Sequence, residues 1–217
     1  MSTSFPNGTL LAVSTAFSAA KVLSAVSNAN PAVATSAGHG LTDGAIGVLT
    51  SGWPDATDRV FRVDDAATDA FDLEGLDSSG TSRYPAGQGI GSFAPVSAWV
   101  TLSQVREMTK SGGEQQFFTW QYLEDRSGTQ KQRPTFKNAK VINVTLDYDP
   151  ALAWYAALDA ADAAKSAVVL RATLPNGAVI YYSVYPSFDA DPSLTMNENM
   201  TNSATFSLLS RLTRYDS

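Results

Sequence analysis

Chemistry has few places to start in this chain. His39 is the only histidine, and there are no cysteines among the 217 residues. Thiolate nucleophiles, disulfides and cysteine-ligated metals are therefore excluded, and a Ser-His-Asp relay would have to pass through His39. That residue stands in His39-Gly40-Leu41-Thr42-Asp43-Gly44, a glycine-rich stretch that reads as a surface turn leading into a strand. Carboxylates come in close pairs: Asp64 with Asp65, Asp147 with Asp149, and Asp189 with Asp191. An Asp-x-Asp spacing can ligate a hard cation or supply an acid and a base, which would suit a metal-dependent hydrolase. Each of the last two pairs also has a plainer reading. Asp149 precedes Pro150 and suits a helix cap, and Asp189-Ala190-Asp191-Pro192 suits a turn. No G-x-S-x-G elbow, phosphate-binding loop or dinucleotide glycine fingerprint occurs. The expectation is a non-enzymatic protein with no catalytic residue, no cofactor and no metal.

Charge narrows the partners. The net charge is −6, placed unevenly: residues 1–94 hold 4 Lys+Arg against 9 Asp+Glu, and the remainder holds 11 against 12. A protein that grips nucleic acid through phosphates shows a basic face, and none is visible in this composition. No stretch approaches the roughly 20 apolar residues of a membrane helix. The nearest imitation of a signal peptide, Leu10 to Val26, has no basic region before it and is interrupted by Lys21.

The elements that would position any site are mostly strands. Pro6-Asn7-Gly8 is a turn signal before a first strand at residues 9–17. From Val22 to Phe93, short β-prone runs alternate with Gly, Asp, Asn and Ser, which suggests a compact all-β module. Within it, Phe61 points away from Val60 and Arg62, and Phe71 and Leu73 share a buried face. Ser78 to Gly91 is rich in Gly and Ser and suits a loop at the module's edge. Beyond it, Trp99 to Thr109 and Gln115 to Leu123 read as two long strands around Ser111-Gly112-Gly113. The second carries Phe118, Trp120 and Tyr122 on one face, with Phe117 and Leu123 on the other, so both faces need cover. Glu124 to Thr135 is polar and long for a connection, which suits a solvated hairpin tip or a partner-binding loop. Lys137 to Leu146 alternates to place Ile142, Val144 and Leu146 together. Ala151 to Lys165, with Leu152, Tyr155 and Leu158 in a stripe, is the one helix expected. Ala167 to Leu174 and Ala178 to Tyr185 flank Pro175-Asn176-Gly177, the strongest hairpin signal in the chain. A last strand is expected from Asn202 to Arg211.

Read in order, this second half resembles the tail tube proteins of siphophages, the long-tailed bacteriophages. The resemblance rests on the two long strands, the polar loop, the Asp-Pro-led helix, the hairpin AVVLRATLPNGAVIYYSVYPSFD and the closing strand NSATFSLLSRLTRY. The start, Pro6 to Leu11, is similar to that family's opening strand. Separately, Val22 to Gly75 is similar to a small β-module found in many phage structural proteins. The implied fold is mainly β: a tail-tube-type sandwich or barrel with one flanking helix, plus a small inserted all-β module. The implied organisation is an arm at 1–21, the inserted module at 22–94 and the tube core at 95–217.

The resemblance further implies a virion protein, assembled in the host cytoplasm. Six copies would close into a ring, and rings would stack into a tube that conducts DNA at ejection without binding it. Its other partners would be a tape measure protein and the terminator and tip proteins of the tail. Ring contacts are expected on the core strands, at Phe118, Trp120, Tyr122, Val169, Arg171 and Tyr181. Stacking contacts are expected at Glu124, Asp125, Arg126, Lys131 and Arg133. An acidic lumen would suit passage, because like charge avoids the counterion release that makes DNA stick. The inserted module is expected on the exterior, since inside it would obstruct the channel. A rival reading is a carbohydrate-binding or baseplate sandwich, with Trp53, Tyr84 or Trp99 exposed for stacking on sugars.

Overall fold

The computed structural model describes residues 5–216 and is mainly β, with one helix, as the sequence leads one to expect. In chain order the elements begin with β1 (Leu10–Phe17), β2 (Lys21–Leu23), β3 (Ala25–Val26), β4 (Ala32–Thr35), β5 (Ile46–Ser51), β6 (Arg59–Asp64) and β7 (Ala70–Leu73). They continue with β8 (Gly91–Leu102), β9 (Val105–Gly112), β10 (Gln115–Trp120), β11 (Lys131–Lys137) and β12 (Lys140–Asp147). The helix α1 (Ala153–Ala164) is followed by β13 (Val168–Thr173), β14 (Val179–Ser193), β15 (Thr201–Leu208) and β16 (Thr213–Tyr215). Fourteen strands form one sheet whose main path runs β3-β4-β7-β6-β5-β8-β1-β13-β14-β15-β12-β9. β10 and β11 form a separate two-stranded ribbon.

Local chemistry explains most of these elements. Gly8 at φ +91° turns the chain into β1, where Leu11 and Val13 are buried together. Asn176-Gly177 closes the β13–β14 hairpin: the Asn176 carbonyl Oδ1 accepts from the Ala178 N–H at 3.2 Å, and Gly177 sits at φ +85°. Gly47 is required for a different reason. A Cβ there would lie 2.5 Å from the Phe93 ring and 2.7 Å from the Ala94 carbonyl oxygen, closer than atoms pack.

Three apolar clusters lie along the sheet. The first fills the curl of the second half: Val168, Leu170, Tyr182, Ile142, Val144, Leu146 and Phe206, covered by Trp154 and Leu158 of α1. The second joins Leu23, Leu49, Trp53, Phe61, Phe71, Leu73 and Phe93, all fully buried, within residues 23–93. The third lies between them. Strand alternation sends Leu170 and Tyr182 to the helix side while Val169 and Tyr181 point to the opposite face. There they meet Val60 and Tyr215, with Trp99 and Val48 at the margin. The short strands of the first half thus cover the face of β13 and β14 that α1 does not.

Several local expectations give way. Asp149 does not cap the helix: Leu152 occupies that position without a side-chain cap, and the Asp149 carboxylate instead accepts from the Ala151 N–H at 3.1 Å. The helix is consequently two residues shorter at its start, and its most buried residue besides Leu158 is Trp154 rather than Tyr155. Asp189 to Pro192 is not a turn. It is a bulge within β14: Asp189 pairs with Ser203 and Ser193 with Thr201, so Ala190, Asp191 and Pro192 stand opposite Asn202 alone, where a proline costs little. Trp99 belongs to β8, not to a strand reaching Thr109. Gln104 at φ +60° breaks the run, and β9 then pairs with β12 rather than with β10. His39 is buried, not a surface turn residue. Its ring packs edge-on against Phe71 at 5.0 Å while Nδ1 accepts from the Leu41 N–H.

The third cluster is fastened by one phenol. The Tyr215 hydroxyl accepts from the Arg62 N–H at 2.8 Å and donates to the Glu74 carbonyl at 3.0 Å. The Arg62 guanidinium, ion-paired with Glu74, lies 4.4 Å above the Tyr215 ring centroid. Burial pushes the phenol pKa up to about 12. The neutral form is therefore the one the fold holds. Its contribution is complete below the free-tyrosine value of about 10 and is lost as pH rises through the folded value. Tyr215→Phe leaves the Arg62 N–H without its acceptor and is expected to cost about 1–3 kcal/mol in denaturant unfolding at neutral pH. Between pH 10 and 12 the gap between the two proteins is expected to narrow; a constant gap would remove Tyr215 from the alkaline transition.

Candidate assembly interface

Between Gly112 and Asn138 the chain leaves the sheet and returns to it. Gly112 and Gly113, at φ +77° and +83°, turn the backbone out of β9, and the Asn138 N–H donates to the Glu114 carbonyl at 2.9 Å where the excursion closes. β10 and β11 pair antiparallel, with Phe118 opposite Arg133 and Trp120 opposite Lys131. A two-stranded ribbon buries too little to be stable by itself in water. This one nonetheless presents its large side chains to solvent: Phe117, Phe118 and Phe136 are each more than half exposed, and Leu123 at the tip is fully so.

The two faces of the ribbon differ. One carries Phe118 and Trp120, nearly parallel with centroids 6.0 Å apart, and across from them Arg133 and Lys131. The Lys131 ammonium also lies 5.2 Å from the Tyr122 ring centroid. The other face carries Phe117 opposite Pro134, with Phe136 two residues further along the same strand, and Thr119 opposite Gln132 towards the tip. At the tip, the Asp125 carboxylate accepts from the Ser127 N–H at 2.9 Å, which holds its pKa below the usual carboxylate range. The tip is thereby shaped by the chain's own hydrogen bonds.

The sequence places Phe118, Trp120, Tyr122, Lys131 and Arg133 in two separate groups, and the structure brings them onto one ribbon. Glu124, Asp125 and Arg126 occupy its tip, residues 121–130. Lys131 and Arg133 are strand residues, because β11 begins at Lys131 where a polar loop is expected. Val169, Arg171 and Tyr181 lie elsewhere. Val169 and Tyr181 are buried in the third cluster, and the Arg171 guanidinium sits 4.6 Å over the Trp99 ring. Sequence reasoning misses Phe136 and the free edge of β9, which pairs with β12 alone and carries Arg106, Glu107 and Lys110. Phe136 alternates with Pro134, a signal that is legible only once β11 is seen to be a strand.

Other candidates disperse. Trp53 is wholly buried, its Nε1–H donating to the Pro85 carbonyl, Tyr84 packs edge-on against it and is nearly buried, and Arg171 lies over the Trp99 ring, so none forms a platform for a sugar. Among the described residues, no three histidines or carboxylates come together as metal ligands would.

The sequence of residues 51–217 matches the family model described as phage tail tube protein, TTP. The chain belongs to the phage tail tube protein family. It is a structural protein of that kind, not an enzyme. No curated protein matches it. Among solved structures it is similar to a chain in the virion of a native gene transfer agent particle, at 11% identity and TM-score 0.42. That match covers 54% of this chain and 88% of the other. A tail of an empty gene transfer agent particle gives 11% identity and TM-score 0.41, over 54% and 86%. The tube-terminating cap of the anti-feeding prophage gives 20% identity and TM-score 0.33, over 50% and 79%.

For this tail tube protein, the ribbon tip should be the first site of proteolysis in the unassembled subunit. Brief trypsin treatment is expected to cut after Arg126 and leave the rest of the chain intact by mass spectrometry. First cleavage after Arg171, within β13, would mean that the tip is less accessible than its exposure implies.

Proposed function

We propose that this tail tube protein closes into rings of six and that the rings stack, ribbon first, into the conduit for DNA ejection. One observation carries the reading. A ribbon too small to stand alone exposes aromatic side chains on both faces, and an identical subunit is the partner present at the right concentration to cover them. Glu124, Asp125, Arg126, Lys131 and Arg133 then set the register between rings. Phe118, Trp120 and Tyr122 supply the apolar contact. The open edge of β9 lies beside the ribbon's root and takes part in closing the ring, which would pair the sheet edge next to the ribbon.

In this reading residues 22–94 are an inserted module on the exterior of the tube, with residues 1–21 and 95–217 making the tube itself. Support comes from the third cluster: the module packs on the face of β13 and β14 opposite α1, outside the curl that α1 covers. DNA passes through the lumen without specific binding. The tape measure, terminator and tip proteins are the further partners in the virion, and assembly takes place in the host cytoplasm.

Replacing residues 121–130 by a two-residue Asn-Gly turn keeps β10 and β11 and removes the tip. The expected result is a folded subunit with an unchanged thermal midpoint that no longer forms tubes by negative-stain microscopy. Normal tubes from this variant would contradict stacking through the tip, and a wild-type protein that stays monomeric at high concentration would contradict the tube.

A further inference from the structure

The ribbon leaves one end of the sheet, and the opposite end carries a second exposed apolar feature. β12 sets the geometry: its first residue, Lys140, pairs with Gly112 at the ribbon's root, and its last, Asp147, pairs with Thr201. Eight residues of strand separate the two ends by about 24 Å. At the far end, β14 and β15 are joined by residues 194–200, where Leu194 is 75% and Met196 88% exposed, with Met200 half exposed beside them. Thioethers and unbranched side chains of this kind adapt their shape to a partner.

Charge distinguishes the two ends. Asp189 to Met200 contains three carboxylates, Asp189, Asp191 and Glu198, and no cation, and Asp149 lies in the turn that follows β12. None of these four makes a salt bridge among the described residues, whereas Asp147 is paired with Arg106. From Gly113 to Lys140 the balance reverses, with five cations against three carboxylates. The acidic end also has a recess of about 330 Å³ lined by Asp189, Asp191, Ser193 and Asn202. Asn202 is buried, and its amide nitrogen donates to the Asp189 and Ala190 carbonyls, which holds the wall of this recess in place.

We infer that the 189–200 end is the receiver for the ribbon tip of the next copy of this chain. Tyr122 and Leu123 pack on Leu194 and Met196, and Arg126 faces the Asp189–Asp191 recess. The fit is heterologous: donor and receiver lie at opposite ends of one subunit, so each bound copy offers a fresh receiver and the contact propagates without closing. This inference rests on the stacked-tube reading and names the surface that reading needs.

The native chain has no cysteine, so Leu123→Cys and Met196→Cys in one chain place two unique thiols. Assembled protein is oxidised, or treated with a short bismaleimide, and run on a denaturing gel. The double variant is expected to give a ladder extending well beyond six chains, while each single variant stops at the dimer. A ladder that ends at the ring size would put the contact within a ring and overturn the assignment. Tubes without any ladder would also overturn it, leaving the tube reading intact. No tubes from the wild-type protein would bring down both. As an independent measure, Asp191→Arg is expected to abolish tube formation and Arg126→Asp in the same chain to restore it; failure of that restoration counts against the pairing.

Discussion

A strand has two edges to satisfy, and β8 must satisfy them while passing from one core to another. Its first half pairs with β5 on one side and β2 on the other, and its second half pairs with β1. Phe93 is therefore fixed in the second cluster and Val100 and Leu102 in the first, on one unbroken backbone. Everything else is positioned from this strand. β1 and β13 build outward from it to the curled sheet, β5 to β7 build outward in the other direction, and the third cluster fills the angle between them. A break in β8 would free two folded halves, each lacking cover for one face.

The same need for cover runs through the rest of the molecule. Within the chain it is met by pairing: Val169 and Tyr181 by Val60 and Tyr215, and the Tyr215 hydroxyl by Arg62 and Glu74. At the ribbon it is not met, since Phe117, Phe118 and Phe136 face solvent on strands with no third neighbour. The contrast between a well-satisfied body and an unsatisfied appendage is the physical mark of a subunit. A monomeric binding protein would gather its exposed aromatics around a cavity, and here they lie along a projecting ribbon with the cations Lys131 and Arg133 among them.

Much of this was legible in the residues. Alternation placed Ile142, Val144 and Leu146 inside, and Phe71 with Leu73. Asn176-Gly177 located the hairpin, and the alanine-rich stretch located the helix. What alternation cannot give is the partner of a strand. β9 and β10 are adjacent in sequence and yet belong to different sheets, because two glycines allow the chain to turn away. β11 was hidden by its composition: Lys131, Gln132, Arg133 and Pro134 suit a loop, and only pairing with Phe117 and Phe118 makes them a strand. Val169 and Tyr181 were misplaced for a related reason. β13 is buried on both faces, so the pattern shows that each face needs cover without showing whether the cover comes from the same chain.

The ribbon's root imposes very little on what lies beyond it. The sheet requires two chain ends held together, Glu114 accepting from Asn138, with Gly112 beside the start of β12. Any segment that joins those ends meets the same condition, and the entropy of closing such a loop grows only slowly with its length. Residues 115–137 can therefore lengthen, shorten or change sequence while the cores stay as they are. The body of the subunit and its reach are thus free to vary independently, and the same boundary makes the root a natural point for grafting foreign peptides onto this scaffold.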